Sequence, residues 1–416
     1  MLDFKINSSE IDKIGKFTKD EKDFRLKNLN YFNETGFPSK KNEDWKFSDF
    51  REIISKNFKR LNIELVKAQN KKINFIKEFE HNNIVLINGE LVSSNFEFEE
   101  KKKIKIKNFP NNDFTNKKIN NPLVHLNHAL SDKGYLLEVN DNYKFRKILV
   151  IYNLYTDKLN ENILNSKNMI IVGKNSELHT LELTVNESKN FFLNNVYENI
   201  ILDDSAIFKN ISIQNEKSQG YFHKYSKNKL SSKSNYTSFI FPAGLRFNKL
   251  DLEFNLEGKN SECNLQAASY SDQKNHQEIK TRINHLVPHC KSFQKVKNVL
   301  NMESKSVFQG KIFVKDVAQK TDAYQISKAI LLSEKSEFDS KPELEIYADD
   351  VKCSHGSSSG SVEENSIFYL MTRGLSRKES IRLLVKGFLN EVSDEIKNIS
   401  VKKFIQEKLD NQLYEY

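Results

Sequence analysis

The sequence predicts a mainly β protein with helical segments at both ends, and three observations carry that expectation. Between about residues 140 and 350 short alternating stretches recur; in LDLEFNLEG, Leu250, Leu252, Phe254 and Leu256 alternate with Asp251, Glu253, Asn255 and Glu257, the period of two that buries one face of a strand. No long helical pattern interrupts them, which excludes an alternating βαβ sheet. The two ends instead space their apolar residues at intervals of three and four, as one face of a helix does.

Taken in order, Ile11, Ile14 and Phe17 share a helical face, and Phe24, Leu26 and Leu29 continue it up to Gly36. The helix stops in GFPSKKNEDWKFSDF at Gly36 and Pro38, and the single tryptophan, Trp45, reads as a docking aromatic packed on a neighbouring domain. Residues 51–135 mix short strands such as NIVLING with polar turns. The β region follows with LDLEFNLEG, SECNLQA, KSFQKVKNVL, SVFQGKIFV and PELEIYA, separated by Asn- and Ser-rich turns. Periodicity leaves a sandwich and a solenoid equally open. Toward the C-terminus, Ser361 with Glu364 and Ser376 with Glu379 match capping boxes, and Gly374 stands where a helix would end. The apolar stripes are Ile367, Leu370 and Met371, then Ile381, Leu384, Val385, Phe388, Leu389 and Val392, then Val401, Phe404, Ile405, Leu409 and Leu413. A short helical appendage on a β body has little else to bury against, so part of this stripe is expected to meet a partner.

A length of 416 residues suits two or three domains and a core that needs no staples. Cys263, Cys290 and Cys353 stand far apart without a CxxC pair, so neither a disulfide framework nor a zinc ribbon is readable, and a reducing cytoplasm is the expected compartment. The N-terminus lacks a signal-peptide core and no apolar run is long enough to span a membrane. The net charge of +9 raises nucleic acid as a partner. The lysines are interleaved with acids, however, and EEKKKIKIK carries its own carboxylates, so a solvated edge strand is the better reading and no nucleic acid is expected.

Common catalytic signatures are absent: no Gly-Lys pair completes a phosphate loop, and HExxH, GxSxG and GxGxxG do not occur. In NHLVPHC, Pro288 disfavours a helix that would align His285 with His289, so these and Cys290 read as structural, and Cys263 alternates with Leu265 and Ala267 as a small core residue. PELEIYADDVKCSHG differs. If its chain stays extended, Val351, Cys353 and His355 share one face, placing a thiol and an imidazole about seven ångströms apart, able to reach one external centre. They are candidate soft ligands for iron or a sulfur species, with further ligands needed from elsewhere. Asp349 and Asp350 read as turn residues.

PELEIYADDVKCSHG, preceded by KTDAYQ and VFQGKI and followed by IFYLMTRGLSRKESIRLLVKGFLNEV, resembles the SufD proteins of the SufB/SufD family of iron-sulfur cluster assembly; GFPSKKNEDWKFS is similar to that family's N-terminal motif. The SufB paralogues lack the ADDVKCSHG string. The resemblance implies a right-handed parallel β-helix core over 136–358, an N-terminal helical and mixed domain over 1–135 and a C-terminal helical domain over 359–416. It implies a non-catalytic scaffold that pairs with SufB through the β-helices, binds the SufC ATPase through the C-terminal helices, and supports iron acquisition and cluster assembly at the SufB border. A homodimer is expected to be possible when SufB is absent. His355 matches the family histidine at that border and Cys353 its neighbour. Ile367, Leu370, Ile381, Leu384 and Phe388 become candidates for SufC docking. No tightly bound cofactor is expected in isolation, only a transient cluster or iron at the border. Departures are GSSSG after the histidine, Ala243-Gly244 for a glycine pair, and His276 with Glu278 where the family has a histidine and an aspartate. The competing reading, a free-standing β-solenoid that binds or cleaves polysaccharide, needs a groove lined by carboxylates and aromatics and fits poorly with a reduced chain.

Overall fold

A computed structural model describes residues 4–59, 62–63, 66, 73–108, 119–214 and 218–414. Among these, the helices are α1 (Ser9–Ile14), α2 (Lys19–Thr35), α3 (Phe50–Asn57), α4 (Pro122–Leu130), α5 (Glu364–Met371), α6 (Arg377–Ser393) and α7 (Ile399–Tyr414). The early strands are β1 (Asn82–Ile87), β2 (Glu90–Asn95), β3 (Ile104–Asn108), β4 (Lys133–Val139), β5 (Leu149–Tyr155) and β6 (Ile163–Val172). The middle ones are β7 (Glu177–Asn186), β8 (Phe192–Leu202), β9 (Ile207–Gln214), β10 (Ser218–Leu230), β11 (Asn235–Pro242), β12 (Leu245–Leu256) and β13 (Glu262–Ser271). The last are β14 (His276–His285), β15 (Lys291–Leu300), β16 (Lys305–Val314), β17 (Asp322–Leu331), β18 (Glu337–Ile346) and β19 (Lys352–Gly360).

Odd and even strands sort into two sheets. One runs β19-β17-β15-β13-β11-β9-β7-β5-β1-β2 and the other β18-β16-β14-β12-β10-β8-β6-β4-β3. Every pairing is parallel except β1 with β2 and β3 with β4. This is a β-solenoid: each coil contributes one strand to each sheet, and neighbouring coils stack in register, as in Phe247 on His276 and His276 on Lys305. The fold is therefore the mainly β class expected, a parallel β-helix with helices at both ends, and a sandwich is excluded. The sheets take in strands from Asn82 onward, so the coil begins inside the segment expected to be N-terminal, part of which lies outside the described residues.

The corners explain the turn composition. Asn175, Ser205, Lys233, Asn260, His289 and Lys320 all have positive φ, between 54° and 63°, the left-handed conformation that asparagine tolerates best. His289 is thus a corner residue. At one corner only glycine fits: a Cβ on Gly258 would lie 1.9 Å from the Ser232 nitrogen.

Three apolar layers stack. Inside the coil, Leu250, Leu252, Phe254 and Leu256 join Ile151, Ile170, Leu265 and Cys263. Outside the even-strand sheet, α2 to α4 pack Leu29, Phe32, Phe50 and Leu126 onto Leu193, Tyr221 and Phe247. Trp45 is buried in that layer, its ring stacked 6.5 Å from Phe247, the docking role expected of it. Outside the odd-strand sheet, α6 and α7 bury Val385, Leu389, Val392, Val401, Phe404 and Ile405 against Tyr152, Leu181, Ile213 and Phe239. This corrects the expectation that the C-terminal helices have little to bury against: the outer sheet face is itself apolar and takes most of their stripe. A second correction concerns α5. Its N-cap is Glu363, without a side-chain cap, so Ser361 and Glu364 form no capping box. Ser376 and Glu379 do form one, with the Glu379 N–H donating to Ser376 Oγ at 3.2 Å and the Ser376 N–H to Glu379 Oε2 at 2.8 Å.

Candidate functional site at the open end of the coil

Among the described residues no further coil stacks on the terminal one. β18 and β19 are each last in their sheet, so both present an unpaired edge. Parallel register places Cys353 on Ala323, His355 on Gln325 and Ser357 on Ser327. Since Gln325 is buried and donates Nε2–H to the Gly310 carbonyl across the lumen at 3.3 Å, His355 sits in an inward-facing column. It is nevertheless exposed, because no further coil covers it. Ser357 confirms the direction: it accepts a hydrogen bond from the Ser327 hydroxyl at 2.9 Å.

Cys353 is half-buried, packed with Leu344 and Val351 on Ile312, Val314, Ala318, Ala323 and Ala348. Burial, aided by the Asp322 carboxylate, pushes its thiol above the usual range, so it is protonated at neutral pH. Cys353 and His355 therefore share one face, as the extended reading required, but they differ in setting: one is anchored in the end of the core and the other projects from it. Asp350 belongs to the preceding corner. Its N–H donates to Gln319 Oε1 at 2.9 Å, its carbonyl accepts from the Lys320 N–H, and its carboxylate pairs with Lys320. Among the described residues no three His, Cys, Asp or Glu side chains gather as a metal site. Two donors at an open end can complete a coordination sphere only with groups from outside the chain.

The other clusters resolve as structure. Cys263 and Cys290 are buried and unpaired with any other cysteine. His285 Nε2 lies 2.9 Å from Ser292 Oγ, and burial lowers its pKa to about 4. His276 and Glu278 lie behind the Trp45 segment. The Ser48 hydroxyl donates to Glu278 and stands 3.0 Å from His276 Nε2, while Lys249 pairs with Glu278 and donates to the Asp44 carbonyl at 2.9 Å. Burial alone would raise the Glu278 pKa; Lys249 and His276 reverse this and hold it below the carboxylate range. The glutamate thus serves a joint between the N-terminal segment and the coil.

Of the helical docking candidates, Ile367 is buried and Leu370, Ile381, Leu384 and Phe388 are partly covered, Phe388 beneath Lys297 Nζ at 4.4 Å from the ring centroid. Ile367 is corrected: it is not available to a partner. The exposed apolar side chains of α5 and α6 are Phe368, Tyr369, Met371 and Leu383. Selecting residues by helical stripe finds the face turned to the protein's own core, and the contiguous aromatic pair Phe368-Tyr369 was the signal for the opposite face.

Comparison with known proteins identifies the family. Residues 154–388 match the family described as SUF system FeS cluster assembly, SufBD core domain. The chain is 22% identical over 386 residues, 91% of its own length and 90% of the other, to the iron-sulfur cluster assembly protein SufD of Escherichia coli strain K12. It is 38% identical over 105 residues, 25% of this chain and 24% of the other, to the iron-sulfur cluster assembly protein SufD of Bacillus subtilis strain 168. An iron-sulfur cluster assembly SufBD family protein of Synechocystis matches at 27% identity over 205 residues, 49% of this chain and 45% of that protein.

Proposed function

Because the chain belongs to the SufBD family and acts in iron-sulfur cluster assembly, we propose that it is a non-catalytic scaffold subunit whose open coil end pairs with a SufB-type partner in the cytoplasm. The observation that carries this reading is the uncovered terminal coil. Its two free strand edges supply main-chain hydrogen bonds to another β-helix, and its inward column brings His355 and Cys353 to the border as an incomplete donor pair. Iron or a nascent cluster is the cargo there. Imidazole and sulfur suit iron, and the partner would supply the missing donors. In the absence of that partner the same edges can pair two copies of this chain.

The exposed face of α5 and α6 supports docking of the SufC ATPase, with Phe368, Tyr369, Met371 and Leu383 as the contact residues. This chain supplies no phosphate loop of its own, so nucleotide hydrolysis falls to that partner. The test is coexpression with the cognate SufB and SufC, comparing wild type with His355→Ala. The expected outcome is an intact complex with at least tenfold less iron and acid-labile sulfide. Unchanged cluster content in an intact complex would remove His355 from the site. Failure to recover any complex would instead count against the partnership.

A further inference from the structure

The coil interior holds both apolar and polar side chains, and one stretch of it carries charge. Between the inner faces of the two sheets lies a cavity of about 70 Å³, room for more than one water molecule. Glu182 on β7 lines it from one sheet, and Glu198 on β8 and Lys224 on β10 from the other. Lys224 Nζ donates to Glu182 Oε2 at 3.1 Å and lies 2.9 Å from Glu198 Oε1. The Ser226 hydroxyl donates to Glu198 Oε2 at 3.0 Å. Two carboxylates facing one ammonium carry a net negative charge when both are ionised, and burial raises the Glu198 pKa, because an uncompensated charge is costly in a place of low dielectric.

The amides along the same cavity give an independent indication. Asn194, 3% exposed, donates its Nδ2–H to the Tyr155 hydroxyl at 2.8 Å, while its Oδ1 has no hydrogen-bond partner. Asn168 stands beside Glu198 in register, and its Oδ1 is likewise unpartnered. Asn248, fully buried, is unpartnered at both ends of its amide. Buried amides without partners are rare, and here oxygens, which seek a positive or donating ligand, outnumber nitrogens.

We propose that this cavity takes up one monovalent alkali cation, drawn by the residual charge of Glu182, Glu198 and Lys224 and solvated by the amide oxygens and water. The donors are hard oxygens, which selects against soft metals. Lys224 already offsets one carboxylate, which leaves too little charge for a dehydrated divalent ion. A cavity of about 70 Å³ has little room for a large organic cation. The site is separate from the open end of the coil, and the inference does not rest on the proposed function.

The test uses the full chain. Crystals grown with rubidium chloride as the sole alkali salt should give an anomalous difference peak inside the lumen beside Glu182 and Glu198. The thermal midpoint should rise saturably with rubidium or potassium chloride but not with choline chloride at equal ionic strength. Glu182→Gln, which removes the net charge, should abolish both effects. A lumen holding water alone in the wild-type crystal overturns the proposal whatever the melting curves show. Identical midpoints in alkali and choline salts overturn it equally, even if Glu182→Gln fails to fold.

Discussion

Cys353 shows how much the setting of a single side chain decides. All three cysteines are free thiols, yet Cys263 and Cys290 are buried and Cys353 is half open to solvent. Native protein treated with a neutral alkylating reagent should be modified at Cys353 alone, with Cys263 and Cys290 reacting only after denaturation; peptide mass mapping reads the result. Early modification of Cys290 would contradict the packing described. The Lys249 and Glu278 pair is a second residue-scale case. Both are fully buried, so Lys249→Ala would strand a buried carboxylate and should cost about 3–5 kcal/mol in urea unfolding. Replacing both by apolar residues of similar volume should cost much less. Asp132 works in the opposite direction. Burial raises its pKa to about 6, above its unfolded value, so its contribution is favourable below about pH 4 and is lost as pH rises through about 6. Asp132→Asn should therefore stabilise the protein by about 1–3 kcal/mol at pH 7.5 and have little effect at pH 4, a difference that denaturation at the two pH values measures.

At the scale of elements, α5 separates internal packing from display. Ile367 is buried while its neighbours Phe368 and Tyr369 are 69% and 58% exposed, a combination that a helix with no further partner would not need. Ile367→Ala should lower the melting temperature without selectively affecting partner binding. Phe368→Ser combined with Tyr369→Ser should leave the melting temperature within a degree or two and weaken capture of the SufC ATPase at least tenfold in a pulldown. If the double variant binds normally, this face is not the docking surface. The α6 cap illustrates the local side of the same chemistry. Ser376 and Glu379 close their box, whereas Ser361 is separated from α5 by two residues that the chain needs to leave the last strand. Identical sequence patterns thus had different outcomes because the start of α5 is set by the exit from the coil.

At the scale of the molecule, the solenoid leaves a free edge at the end that carries His355. In a parallel strand alternate residues bond to opposite sides. The Lys352 N–H donates to Thr321 of the preceding coil, which directs the N–H groups of Cys353, His355, Ser357 and Ser359 toward the open edge. Ser359→Pro should therefore remove an edge donor without taking a hydrogen bond from β17. The expected result is an unchanged monomer fold by circular dichroism and loss of association with the SufB-type partner, or of self-association in its absence, by light scattering coupled to size exclusion. Retained association would show that the edge is not used. Lysine provides protection at the opposite end, where Lys105 and Lys107 lie on the edge strand β3.

Local chemistry determined a good part of this protein by itself. Alternation located the strands, spacing located the helices, and the Asn- and Ser-rich segments marked corners that adopt positive φ, because each of these depends on neighbours a few residues away. Cys353 and His355 shared a face for the same reason: a strand alternates whatever it packs against. Tertiary structure decided everything that depends on what lies one coil away. It made the strands a solenoid rather than a sandwich, since stacking at a separation of 29 residues leaves no trace in a window of ten. It turned the predicted docking stripe of Ile367 inward, put Glu278 in a buried joint, and placed Glu182, Glu198 and Lys224, distant in sequence, around one cavity. It also left His355 uncovered, because the coil stops there, and that termination gives an ordinary inward-facing position its exposure and its candidate role.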